Sequence, residues 1–277
     1  MSRFRRLVRR SRPRFWAYLA GPAVVGVVFG AASTEGVSSP VAVGLVAYFL
    51  VPANVFLYGI NDVFDADLDR ENPKKAGRET RFRGDALTPV AVAGSGALGL
   101  ALLAVVPPIA IPYLLGFLVL GAAYSAPPLR FKTTPVLDSV SNGLYVLPAG
   151  VTYATVSGTY LPLLALLGGW LWTMAMHTFS ALPDIGPDRR AGIRTTATVL
   201  GRRWTVGYCL GCWLLSAATF GLLDVRAGVL LLVYPLFVVG IVVKNIDIDR
   251  AYWWFPAVNT TVGMVLTLGG LWRLFYG

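Results

Sequence analysis

Apolar runs of close to twenty residues recur along this chain, the length an α-helix needs to cross a bilayer core of about 30 Å. Of its 277 residues, 56% are hydrophobic and only 14% charged. A soluble chain carries about 25% charged residues, and its apolar positions alternate with polar ones at helical or strand period. Here the apolar residues run on without that alternation, so the expected class is an all-α polytopic membrane protein. Nine spans are predicted, at roughly 15–31, 40–62, 86–106, 109–126, 136–157, 160–182, 204–222, 226–243 and 252–272. Pro107-Pro108 and Pro127-Pro128 separate neighbours, because proline lacks the backbone donor that continues a helix. The Pro107 break is the weakest of these, which leaves eight spans as the alternative count. No internal repeat is visible, and residues 1–277 read as one domain.

Basic residues test the topology, since Lys and Arg concentrate in cytoplasmic loops. With the N-terminus inside, 22 of the 24 Lys and Arg fall on inside segments, and only Arg226 and Arg273 fall outside. The seven arginines of residues 3–14 read as the anchor of the first helix at an anionic leaflet. A net charge of +10 therefore needs no nucleic acid to account for it.

The acids are distributed unevenly: seven of fourteen lie between residues 62 and 85. Asn61, Asp62, Asp65 and Asp69 follow NDxxDxxxD spacing, which places the three aspartates on one helix face over two turns. Asp67, Glu71, Glu79 and Asp85 read as hydrated loop charges. Asp184 and Asp188 form a second pair at i and i+4. Carboxylates at membrane depth cost about 2.5–3.5 kcal/mol each on insertion scales, so something positive must compensate them. Oxygen ligands without accompanying histidine or thiolate suit a hard cation, and Mg²⁺ is held by one or two carboxylates together with phosphate oxygens. The two clusters thus suggest Mg²⁺ shared with a diphosphate at the inside mouth of the bundle.

Basic groups suited to phosphate recur at the same boundaries: Lys74 and Arg78 after the first cluster, Arg130 and Lys132 in "YSAPPLRFK", and Arg194 after the second pair. The alternative for each is a plain topology charge. Cys209 and Cys212 read as small buried hydrophobes rather than a metal or redox pair. His177 reads as a packed, hydrogen-bonded histidine, with catalytic use as the alternative.

The ordered trio "NDVFDADLD", "YSAPPLRFK" and "DIGPDRRAGIRTTATVLG" resembles the UbiA-type intramembrane prenyltransferase superfamily, and together the three cover the chain. The resemblance implies that Asn61, Asp62, Asp65 and Asp69 are the first aspartate-rich motif and that Asp184 and Asp188 are the second, holding Mg²⁺ and a prenyl diphosphate. It likewise places Asn61, Lys74, Arg78, Tyr124, Arg130, Lys132 and Arg194 at the diphosphate. Where many aromatic prenyltransferases continue the first motif into an Arg-Pro stretch, this chain reads "NPKKAGRETRF". The wording around both motifs is similar to the archaeal lycopene elongase branch, which makes C50 carotenoids on the way to bacterioruberin.

That resemblance implies a mechanism. Mg²⁺ and Lys74, Arg78, Arg130 and Lys132 stabilise the departing diphosphate of dimethylallyl diphosphate. The allylic cation is attacked by the terminal double bond of lycopene, and water captures the resulting tertiary cation. Tyr145, Trp170 and Trp172 read first as packing or interfacial anchors, with stabilisation of the cation through their ring faces as the alternative. A quinone precursor, a tetrapyrrole or a glyceryl ether lipid are the rival acceptors. A cation transporter is the reading from outside enzymology, although its acids would be expected near the midplane on discontinuous helices. The expected location is the cell membrane, with the site facing the cytoplasm.

Overall fold

A computed structural model describes residues 11–64 and 86–276, which leaves Asp65, Asp69, Lys74 and Arg78 outside the described residues. Among the described residues every regular element is a helix. Helix α1 spans Trp16–Gly30, α2 Pro40–Leu50 and α3 Pro52–Phe64. They are followed by α4 (Leu87–Leu102), α5 (Ile111–Ser125), α6 (Leu147–Ser157) and α7 (Leu163–Ser180). The last four are α8 (Thr196–Gly221), α9 (Val225–Leu231), α10 (Val233–Val243) and α11 (Phe255–Tyr276).

The interruptions are where proline or glycine makes helix costly, and each is repaired internally. Val51 leaves helical geometry ahead of Pro52, as expected of a residue before proline. The buried Asn54 side chain then donates to the carbonyls of Phe49 (2.9 Å) and Leu50 (3.0 Å) at that break. Lipid offers no water for such carbonyls, so a side chain must serve them.

The segment expected as one span at 136–157 is not a continuous helix. It divides into a turn of helix at Leu137–Val140, a 3-10 stretch at Ser141–Tyr145, and α6. Gly143 lies directly against the Trp170 indole, leaving no room for a Cβ there. Trp170 Nε1 donates to the Val140 carbonyl at 2.8 Å. Trp170 therefore holds the broken segment together.

Helix α8 begins at Thr196, eight residues before the apolar run that predicted it, because Thr195 and Thr198 form a reciprocal capping box. Gly201, at φ 72°, then kinks the helix, and Arg189 donates to the Thr198 carbonyl from Nε (3.1 Å) and Nη2 (2.6 Å). The span expected at 226–243 divides at Leu232 into α9 and α10.

Packing is organised around two apolar cores. The first gathers Leu45, Phe49, Leu114, Phe117, Leu144 and Val151 from α2, α5, α6 and the stretch before α6. The second gathers Phe179, Trp213, Tyr234, Val238 and Phe255 from α7, α8, α10 and α11. There Trp213 stacks near-parallel on both Tyr234 and Phe255, each with ring centroids 5.8 Å away. Cys209 and Cys212 are free and buried in this second core.

Helix α1 lies close against α6: Gly26 leaves no room for a Cβ beside Ala149 and Thr152, and Thr152 Oγ1 donates to the Ala23 carbonyl at 2.8 Å. Small residues at such a crossing let backbones approach where no hydrophobic force draws helices together. Helix α11 returns to α1, where Arg273 Nη2 donates to the Phe29 carbonyl at 3.1 Å.

The outward surface is apolar, with Val90, Leu222 and Trp272 each at least two-thirds exposed. In water such a surface would aggregate; in lipid it is the solvated face. The stretches Thr34–Phe64, Pro108–Ser125 and Val225–Val243 are long and apolar enough to cross a membrane, and the protein is an integral membrane protein.

Gly26→Val is expected to wedge α1 from α6 and to lower stability by about 1–3 kcal/mol. Gly44→Ala, at a helical glycine with nothing within 4 Å of the added methyl, should be neutral or stabilising. Thermal unfolding of the two variants in detergent checks the difference.

Candidate active site

The last turn of α3 carries the beginning of the first acidic motif into the protein interior. Asn61 Nδ2 donates to Ser125 Oγ at 3.3 Å, tying that turn to the end of α5. Asp62 is 4% exposed, and its Oδ1 accepts from Arg12 Nη2 at 3.0 Å. Arg12 precedes α1 in left-handed geometry (φ 51°), and its guanidinium also lies over the Tyr58 ring, 4.8 Å from the centroid. A guanidinium stacked on an aromatic face keeps its in-plane donors for the carboxylate.

The YSAPPLRFK turn reaches the same corner. Arg130 also adopts left-handed geometry (φ 39°), and its Nη2 donates to the Phe64 carbonyl at the end of α3 with a 3.3 Å separation. Tyr124, the penultimate residue of α5, places its hydroxyl 3.2 Å from His177 Nε2 on α7, with the rings edge-on.

A cavity of about 260 Å³ opens between the two cores at this corner. Arg12, Asn61, Tyr124 and His177 contribute polar groups to its lining, and Tyr145 and Trp172 contribute aromatic rings. Tyr58 and Tyr145 meet through their hydroxyls at 3.3 Å. On α7, Thr173, Met176, His177 and Ser180 present one helical face to the cavity. The lining thus combines polar groups with aromatic rings, a surface suited to a diphosphate with an apolar tail.

The second motif follows the end of α7. Asp184 closes a 3-10 turn, Leu182–Asp184, and stands at the position just before the short helix Ile185–Arg190 that carries Asp188. The pair expected on one continuing helix therefore straddles a helix start, because Pro183 and Pro187 favour new N-termini over continuation. Arg194 is exposed, Lys132 is half-buried, and neither lines the cavity. Of the three aromatic candidates, Tyr145 and Trp172 line the cavity, whereas Trp170 is engaged with Val140.

Two features escaped the sequence reading. Arg12 looked like one of seven topology charges, and its place beside Asp62 has no local signature. Asp138, 1% exposed, accepts from the Thr196 backbone N–H at 3.0 Å and from the Thr196 hydroxyl. It fastens the broken segment before α6 to the start of α8. Among the described residues no three His, Cys, Asp or Glu side chains form a metal set. Of the first motif the described donors are Asn61 and Asp62, both oxygen ligands, and the buried Asp62 carboxylate requires a cation beside it, which fits a hard divalent ion.

The model of the UbiA prenyltransferase family matches residues 19–271. The chain is 61% identical over 267 residues to the lycopene elongase/hydratase of Haloferax volcanii, covering 96% of this chain and 89% of that one. It is 62% identical over 274 residues to the lycopene elongase/hydratase of Halobacterium salinarum, covering 99% and 100%. Its fold is similar to a UbiA homolog from Archaeoglobus fulgidus bound to DMAPP and Mg²⁺, with TM-score 0.77, 19% identity, and 98% and 99% of the two chains covered. The chain belongs to the UbiA prenyltransferase family and is a prenyltransferase.

Arg12→Ala is expected to destabilise the protein by about 3 kcal/mol, because it leaves the buried Asp62 carboxylate uncompensated. Adding Asp62→Asn to that variant should recover part of the loss. A double-mutant cycle on detergent-solubilised protein measures the coupling, expected to exceed about 0.5 kcal/mol.

Proposed function

We propose that this prenyltransferase moves a dimethylallyl group from its diphosphate to lycopene, at a site facing the cytoplasm in the cell membrane, and that water captures the extended carotenoid cation. The observation that carries the reading is the aromatic-walled cavity whose polar side is the first-motif helix end, with Arg12 and Asn61 on its lining. Support for the acceptor comes from lycopene elongase/hydratases 61% and 62% identical over nearly the whole chain. The proposed topology has nine spans with the N-terminus inside, and residues 1–277 act as one catalytic unit.

In this reading Asn61, Asp62, Asp65, Asp69, Asp184 and Asp188 hold Mg²⁺, which when bound neutralises diphosphate oxygens as the C–O bond breaks. Tyr124, Arg130, Lys132, Lys74, Arg78 and Arg194 bind the diphosphate, with Asn61 at its edge. Arg130 is well suited to this, since its contact with the Phe64 carbonyl keeps the guanidinium at the end of α3. Arg12 joins them, moving between the Asp62 carboxylate and phosphate oxygens. Fixed donors of this kind stabilise the leaving group's developing charge without reorganisation. Tyr145 and Trp172 hold the allylic cation against ring faces, and the apolar helices keep water out until the carbon–carbon bond has formed. Lycopene reaches the site from the lipid.

Expression in a lycopene-producing host should yield hydroxylated carotenoids carrying one and two added five-carbon units, detected by mass spectrometry. Their absence with the protein properly inserted would sink the acceptor assignment. Diphosphate release should require Mg²⁺ and fall at least about 100-fold in Asp65→Ala. Ion uptake without turnover would instead support a transporter.

A further inference from the structure

We infer that His177, with Tyr124 as its relay, is the base that takes the proton from water in the hydration step. The inference rests on the proposed lycopene reaction and assigns the residue that decides how its cation ends. Addition of the prenyl group to a terminal double bond leaves a tertiary carbocation on the carotenoid. That cation ends either by losing a proton from a neighbouring carbon, giving an alkene, or by taking up water, giving an alcohol. Water attacking alone makes a protonated alcohol that readily reverts, so stable hydration needs a base beside the water.

Few groups at the cavity can be that base. Among the described residues lining it, His177 is the one side chain whose neutral form carries a basic ring-nitrogen lone pair. The tyrosine hydroxyls are weak bases while protonated, and two of them, Tyr58 and Tyr145, are paired with each other. Arg12 is a permanent cation. Asp62, ion-paired with Arg12 at 3.0 Å, does not line the cavity, and neither does Asp138, which is bonded to Thr196.

Position agrees with this. His177 shares an α7 face with Thr173 and Ser180, and its Nε2 lies 3.2 Å from Tyr124 Oη. Tyr124 precedes Ser125, whose hydroxyl accepts from the motif residue Asn61. The pair therefore sits at the polar side of the cavity, close to where the diphosphate departs and the new bond forms.

The step balances. A water oxygen lone pair forms the C–O bond to the tertiary carbon. That water's proton passes to Tyr124 Oη as the Tyr124 proton moves to His177 Nε2. A neutral tertiary alcohol and an imidazolium result, and the imidazolium returns its proton to solvent through the cavity mouth.

The test uses full-length protein in lycopene-containing vesicles with dimethylallyl diphosphate, Mg²⁺ and oxygen-18 water, reading diphosphate release and the alcohol-to-alkene ratio together. His177→Gln should keep diphosphate release within about 3-fold of the parent while the labelled alcohol fraction falls about 10-fold or more in favour of alkenes. Tyr124→Phe should shift the ratio in the same direction, and imidazole added to His177→Gly should restore alcohol. An unchanged ratio in turning-over His177→Gln would overturn the inference, leaving diphosphate or bulk water as the base. Parallel loss of release and hydration in His177→Gln, with dimethylallyl diphosphate still bound, would also overturn it by assigning His177 to prenyl transfer. If the parent protein releases diphosphate but makes no extended carotenoid, the acceptor reading itself fails, and the inference fails with it.

Discussion

A carboxylate sunk into an apolar bundle must have its charge met inside the protein, and Asp62 is the point on which the arrangement of this molecule turns. At 4% exposure it has almost no access to water, and Arg12 answers it from 50 residues away. That contact requires the chain before α1 to turn back over the end of α3, which Arg12 does in left-handed geometry. Tyr58, one turn before Asp62, supplies the ring on which the guanidinium rests. The same demand explains Asp138, which is met by the N–H and hydroxyl of Thr196 rather than by a cation. One acid is thus met by the guanidinium of a long side chain, the other by a backbone N–H and a hydroxyl. The first arrangement suits a binding site and the second a structural joint.

What was legible in the sequence follows from which forces are local. Continuous apolar runs prescribe helix wherever lipid must be met, and α1, α4, α5 and α7 lie within the runs that predicted them. The breaks were not legible at 136–157, because they depend on Gly143 meeting Trp170 across 27 residues of sequence. The start of α8 was missed for the opposite reason. It is local, a Thr195 to Thr198 box, but hydropathy does not register a cap. At the site, Asn61, Asp62 and Arg130 could be picked out by residue type and spacing and Tyr124 through the family resemblance, and the structure brings them to one corner. Arg12 could not, since among seven arginines nothing distinguishes the one that folds inward. Trp170 packs against the first core with its N–H on the Val140 carbonyl, in line with the packing role read for it first.

The two cores give this corner its shape. Helices α1 to α6 surround one apolar centre and α7 to α11 another, each closed by its own aromatic contacts. The cavity is the seam they leave, with Leu57 and Leu144 on one bank and Trp172 and Met176 on the other. A seam between well-packed halves can remain open without a cavity cost inside either, because neither core loses contacts to make it. It also opens naturally at helix ends, where the acidic motifs lie and backbone donors are already unsatisfied.

Such a seam must reconcile two incompatible needs. A carbocation survives only where water is scarce, yet an alcohol product needs one water admitted at the right moment. Uniformly apolar walls would meet the first need and defeat the second. Here Asn61, Tyr124 and His177 contribute polar groups to the lining, while Tyr145 and Trp172 contribute aromatic rings. In the proposed reaction the dimethylallyl cation arises where the diphosphate leaves and the tertiary cation arises on the acceptor, so the two needs fall on different carbons. A single water held by Tyr124 and His177 would serve the second need without flooding the lining that serves the first.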